Sequence, residues 1–181
     1  MSGSVALSVA GMLVRGAIAG VAATWLMDVA TTGVQKLQPA ADADREKAAW
    51  PNGQSSVANL VDLLAARLRI RLDEASRNSA MTLAHYALGA VPGALYAVTR
   101  DRVPFVGVAR GGVYGALLWA VNDEIVNTQL GLAGPWSAYP TLTHIRGLIG
   151  HLVLGIGTDV GIDLLGLADA GRSKPAVVIR R

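Results

Sequence analysis

The chain has no cysteine among its 181 residues, which excludes disulfides, thiolate zinc sites, iron–sulfur ligation and thiol nucleophiles together. Charge is scarce as well: Asp, Glu, Lys and Arg make up 16% of the chain, against roughly 25% in soluble domains. Serines cluster at the N-terminus and in polar stretches, so no Ser–His–Asp set is specified and a hydrolase has little support. Glu-x-x-His does not occur, which argues against a di-iron carboxylate bundle. Apolar residues are abundant instead, at 52%, with 21 glycines and a mean hydropathy of +0.40. The glycines lie inside apolar runs with no collagen period, as in glycine-rich membrane helices. The net charge of +3 comes from cations dispersed at the edges of those runs, so it marks membrane topology and gives no nucleic-acid patch.

A bilayer core of about 30 Å needs roughly 20 apolar residues per helix. Four runs approach this length, at about 13–34, 80–98, 106–130 and 143–168. The second has no Asp, Glu, Lys or Arg, whereas the third carries Asn122, Asp123 and Glu124 in its second half. No basic n-region precedes the first run, so no cleavable signal is expected. The chain therefore reads as all-α and integral to a membrane, a single four-span domain over 1–170 with a basic tail over 171–181, expected to be disordered.

The polar first loop holds a Trp50-Pro51-Asn52-Gly53 turn, with Ser55 or Ser56 placed to cap a helix over about 56–72. Val57, Leu60, Val61, Leu64, Leu68 and Leu72 recur there at helical spacing, with Arg67, Arg69 and Arg71 between them. Such a helix either lies on the membrane surface or packs on its own protein. The short loop at 99–105 and the tail carry cations while the loop at 131–142 has none, which places both termini in the cytoplasm.

Displacing the sequence by 95 residues lays Arg15-Gly16, Gly20 and Asp28 on Arg110-Gly111, Gly115 and Asp123. A displacement of 66 lays His85-x2-Leu88-Gly89 on His151-x2-Leu154-Gly155. These matches predict two helical hairpins of the same orientation. Thirteen residues separate the Arg from the Asp of each copy, close to 20 Å along a helix, so they cannot pair within one helix. Asp28, Asp123 and Glu124 then share one leaflet with His85, His144 and His151, while Arg15 and Arg110 fall in the other with Asp159 and Asp163. The second group reads as a structural layer of neutralising charges.

The histidine and carboxylate layer supports two sharper readings besides structure alone. One is a proton- or cation-responsive site, because imidazole titrates near pH 6.5 and a neighbouring carboxylate favours its charged form. The other is haem or metal ligation by His85 and His151, with Gly89 and Gly155 one turn away leaving room for a flat ring. Gly16 with Gly20, Gly89 with Gly93, and Gly111 with Gly115 are small-xxx-small pairs suited to close helix packing. Pro92 is expected to kink the second span, and Trp119, Trp136 and Tyr139 suit interfacial or packing positions.

His85-Tyr86 with Gly93 and Tyr96, Gly111-x3-Gly115-Ala116-Leu117, Gly131-Leu132, Pro135-Trp136 and Gly150-His151-Leu152-Val153 resemble the YagU-type bacterial inner-membrane proteins. The resemblance covers roughly 80–155 and, more loosely, Gly16-Ala17-Ile18-Ala19-Gly20. It implies a multi-pass inner-membrane protein without assigned biochemistry, linked in the family's namesake to acid tolerance. The expectations are thus a non-enzymatic membrane protein of acid or envelope stress, an accessory subunit of a larger membrane complex, or a haem or metal protein. The lipid bilayer and a homo-oligomer or complex are its expected partners.

Overall fold

The computed structural model describes residues 8–172, with side chains as far as 166, and the described residues contain helices and no strand. Much of the basic tail therefore lies outside the described residues. The first apolar run forms α1 (Val9–Gln35), opened by Ser8, whose side chain accepts from the Gly11 amide. A short polar helix, α2 (Ala40–Ala48), and a 3-10 turn at Pro51–Gly53 lead into α3 (Ser56–Leu68), which Ser55 caps through the Ala58 amide. α3 stops at Leu68, short of the expected 72, because Arg69 turns into the left-handed region (φ 56°) as its C-cap. α4 (Glu74–Thr99) begins earlier than the apolar run, since the Asp73 carboxylate caps the Ser76 amide at 2.8 Å.

Among the described residues three helices are long and apolar enough to cross a membrane: Val9–Gln35, Glu74–Thr99 and Thr141–Gly166. The expected third span departs from this pattern. Residues 100–111 form turns, and Ala109, Arg110 and Gly111 all have positive φ, so the helix starts only at Gly112. It then runs as α5 (Gly112–Leu118), a π-helical stretch (Trp119–Val126) and a last turn, α6 (Asn127–Gln129). The final helix, α7 (Thr141–Arg172), follows a 3-10 turn at Trp136–Ala138.

α1 packs along both α4 and α7, and α5 packs on α7. Glycine makes these approaches possible. A Cβ at Gly93 would land on the Gly16 carbonyl oxygen and 2.9 Å from Gly20 Cα, and one at Gly115 would land on the His151 carbonyl. Gly157 and Gly161 bring α7 against Ala23 and Ala19 of α1. Tyr96, with no exposed surface, sits in the small core between these helices, its ring 5.0 Å from that of Tyr114. The Tyr114 hydroxyl donates to the Pro92 carbonyl at 2.9 Å, tying α5 to α4.

α2, α3 and the loop at 130–140 lie over one end of the bundle. Arg45 donates to the Ala138 and Ser137 carbonyls at 3.0 and 3.1 Å, and Asn59, 5% exposed, lies 3.1 Å from the Leu132 carbonyl. α3 is thus packed on its own protein along Ala58, Asn59 and Val61, while Leu64 and Leu68 stay exposed.

Candidate functional site

Beneath this cover lie two adjoining cavities of about 470 and 360 Å³. Met27, Ser56, His85, Asp123 and Asn127 line both, so they form one chamber with a polar outer part and a more apolar inner part. α1 brings Asp28 and α4 brings His85 to it; His85 Nε2 lies 2.9 and 3.0 Å from the two Asp28 carboxylate oxygens. α7 brings His144 and His151, with His144 Nδ1 2.6 Å from Glu124 Oε1 and His151 Nδ1 3.6 Å from Asp123 Oδ2. Each of the three histidines therefore faces its own carboxylate.

The π-helical stretch explains how two consecutive acids serve one chamber. Its wider turn brings Asp123 and Glu124 to the same cavity wall, with Trp119 before them and Asn127 after them. Such stretches are rare and recur at functional sites. Asn122 holds Asp123 through a 2.8 Å hydrogen bond, and the Trp119 indole N–H is buried without an acceptor among the described residues.

Hydrogen-bond chemistry separates the three pairs. His144 has acceptors at both ring nitrogens, Glu124 at Nδ1 and the Trp136 carbonyl at Nε2 (3.0 Å). A neutral imidazole carries one N–H, so both contacts are satisfied only when the His144–Glu124 pair holds a second proton on the ring or on the carboxyl. His151 Nδ1 instead meets the Gly147 carbonyl at 3.0 Å, a contact that a neutral ring satisfies.

The rim carries a pair the sequence did not suggest. Glu46 of α2, 7% exposed, meets Arg146 of α7 and also accepts from Gln38 Nε2 at 2.8 Å and Thr143 Oγ1 at 3.0 Å. Burial alone would raise the Glu46 carboxyl, but the hydrogen bonds from Arg146 and Gln38 outweigh it and hold the group below its ordinary value of 4.5. On the outer side of α3, the Arg77 guanidinium does the same for Asp62, at 2.7 Å.

At the other end of the bundle lie the residues of the expected charge layer, joined by Arg100, which the sequence reading did not include. Asp159 and Asp163 are held by Arg110 (3.3 and 2.9 Å) and by Arg100 (3.0 Å to each), and the Tyr96 hydroxyl donates to Asp159 at 2.8 Å. Arg15 lines the neighbouring recess with Asp163. Arg100 sits at the C-cap of α4, where its charge reads as a topology signal, and nothing local in the sequence ties it to Asp159.

His85 and His151, the alternative ligand pair, both line the inner cavity beside Gly89. Their partnered nitrogens are turned to Asp28 and to the Gly147 carbonyl, and among the described residues no group of three or more His, Asp or Glu is arranged to hold a metal ion. No family model matches the chain, and neither a curated protein nor a solved structure matches it.

Proposed function

We propose that this chain is a multi-pass, non-enzymatic membrane protein whose chamber takes up protons as the surroundings acidify. The observation that carries the reading is the pairing of all three histidines with three separate carboxylates around one cavity. Among the described residues, the charged and titratable groups facing the chamber are Asp28 from α1, Glu46 from α2, His85 from α4, Asp123 and Glu124 from the π-helical stretch, Tyr139 from the loop before α7, and His144, Arg146 and His151 from α7. With Glu46 matched by Arg146 and the His144–Glu124 pair holding its second proton, Asp28 and Asp123 leave the walls net negative while the imidazoles of His85 and His151 are neutral. Protonation of the imidazoles cancels that charge, which changes what the chamber attracts.

In this reading the helix at Gly112–Gln129 is a fourth crossing, and the four crossings form two hairpins of one orientation. The repeat supports it: the two displacements that align the halves lay Asp28 on Asp123 and His85 on His151, and these residues are the two corresponding pairs. The bacterial inner membrane with cytoplasmic termini, and a role in acid or envelope stress, follow from the cation distribution and the YagU-type resemblance. α1 and α4 are mostly exposed along their apolar length, which leaves room for lipid and for further helices of a homo-oligomer or a larger complex.

Proton uptake tests the proposal. Purified protein shifted from pH 8 to pH 5 in weak buffer is compared with His85→Gln/His151→Gln, and the variant should bind about two fewer protons, one per imidazole removed. Equal uptake by the two proteins would overturn it.

A further inference from the structure

We infer that the chamber binds a small organic ammonium ion. The inference rests on the reading of the chamber as an ionisable site and names what occupies it when the imidazoles are neutral. The larger cavity, about 470 Å³, is within the size range of small-molecule sites. Its wall charges are unbalanced: among the described residues Arg146 is its only cationic side chain other than histidine, and Glu46 engages it. Among the described residues, Asp28 and Asp123 meet no arginine or lysine: Asp28 faces His85, and Asp123 faces His151 and accepts from the Asn122 side-chain amide. Net negative walls in a concave, partly open site favour a cation.

The rest of the lining selects the kind of cation. Trp50, Trp119, Trp136 and Tyr139 all border the same cavity. Indole and phenol rings attract ammonium groups through their negative faces while also covering alkyl substituents, a combination that a hydrated metal ion does not exploit. The buried, unpartnered Trp119 N–H lies in this wall near Asp123, since both would flank a Cβ at Gly147, at 3.0 and 3.4 Å. It is a donor in reserve for an oxygen substituent on the occupant or for Asp123 itself once a cation has drawn that carboxylate inward.

Three of the four tryptophans border the cavity, and the fourth, Trp25, is 58% exposed on α1. Intrinsic fluorescence therefore reports on the chamber. The detergent-purified protein at pH 8 is titrated with tetramethylammonium and with ethanolammonium chloride, alongside tert-butanol as a neutral probe and potassium and magnesium chlorides as metal salts. A saturable response to either ammonium ion, absent with tert-butanol and with the metal salts, is expected. Asp28→Asn/Asp123→Asn should weaken it at least about tenfold. Should that variant not fold, Trp136→Leu, at a side chain 66% exposed, should weaken it with an unchanged elution profile. No saturable response, an equal response to the metal salts, or undiminished affinity in the folded variants would overturn the inference. Its failure is separable from that of the proposed function: ordinary proton uptake without an ammonium response removes only the inference, and an ammonium response with equal proton uptake in the histidine variant removes only the proton reading.

Discussion

Replacing Glu46 by glutamine should unseat the cover of the chamber. The side chains of Glu46 and Arg146 are 9% and 15% exposed, so the pair is closer to a buried than to a surface ion pair. Glutamine keeps the volume but removes the negative charge, and its amide nitrogen must face either the guanidinium or the donors of Gln38 and Thr143. Breaking a buried pair by removing one partner costs about 3–5 kcal/mol. Gln38 Oε1 still accepts from Arg146 at 2.6 Å, so the lower end, about 3 kcal/mol, is expected. Equilibrium unfolding in mixed micelles of rising SDS fraction measures it. Glu46→Leu/Arg146→Leu, which leaves no charge behind, should recover stability to within about 1.5 kcal/mol of the parent. The pH dependence has a definite sign. The folded carboxyl titrates below its ordinary 4.5, so the unfolded chain binds more protons between the two values. The contribution of Glu46 is therefore complete above about pH 4.5 and disappears as the pH falls through the folded value. The gap between parent and Glu46→Gln should narrow over that window. A loss below about 0.5 kcal/mol, the size of an exposed pair, or a gap that does not change with pH, would show that Glu46 and Arg146 do not hold the cover in place.

Gly93→Ala should cost about 1–3 kcal/mol by pushing α4 off α1, whereas Gly33→Ala, with nothing within 4 Å of the new carbon, should be neutral or stabilising by up to about 1 kcal/mol; the same SDS titrations compare them. Tyr96→Phe should cost about 1–3 kcal/mol, because it removes a donor from the buried Asp159 carboxylate. Asn59→Leu should release α3 from the loop at Leu132, seen as faster amide exchange in 56–68 and 130–134 with little change in α1.

The apolar runs made three membrane-length helices legible because hydropathy records them residue by residue. The break before Gly112 was not legible: Arg110-Gly111 repeats the Arg15-Gly16 of a helix interior, yet here the same dipeptide forms a left-handed turn. The turn accompanies the contact of Arg110 with Asp159 and Asp163, two residues of a distant helix. The π-helical stretch leaves no period of its own in a segment as short as 119–126. At the site, the spacing placed the acids and histidines in one layer, and the structure resolves it into three pairs. Glu46 and Arg146, separated by 100 residues, carry no local signature of their contact.

In the proposed function the three histidine–carboxylate pairs are the titrating elements of the chamber. That role is tested most directly by NMR of ring-labelled histidine in detergent-solubilised protein from about pH 4 to 9, a range that brackets the imidazole transition. Three titrating rings are expected, with His85 responding to Asp28→Asn, His144 to Glu124→Gln and His151 to Asp123→Asn, each substitution moving its own partner most. Three rings that hold one charge state across the range, or that ignore the replacement of their carboxylates, would contradict it.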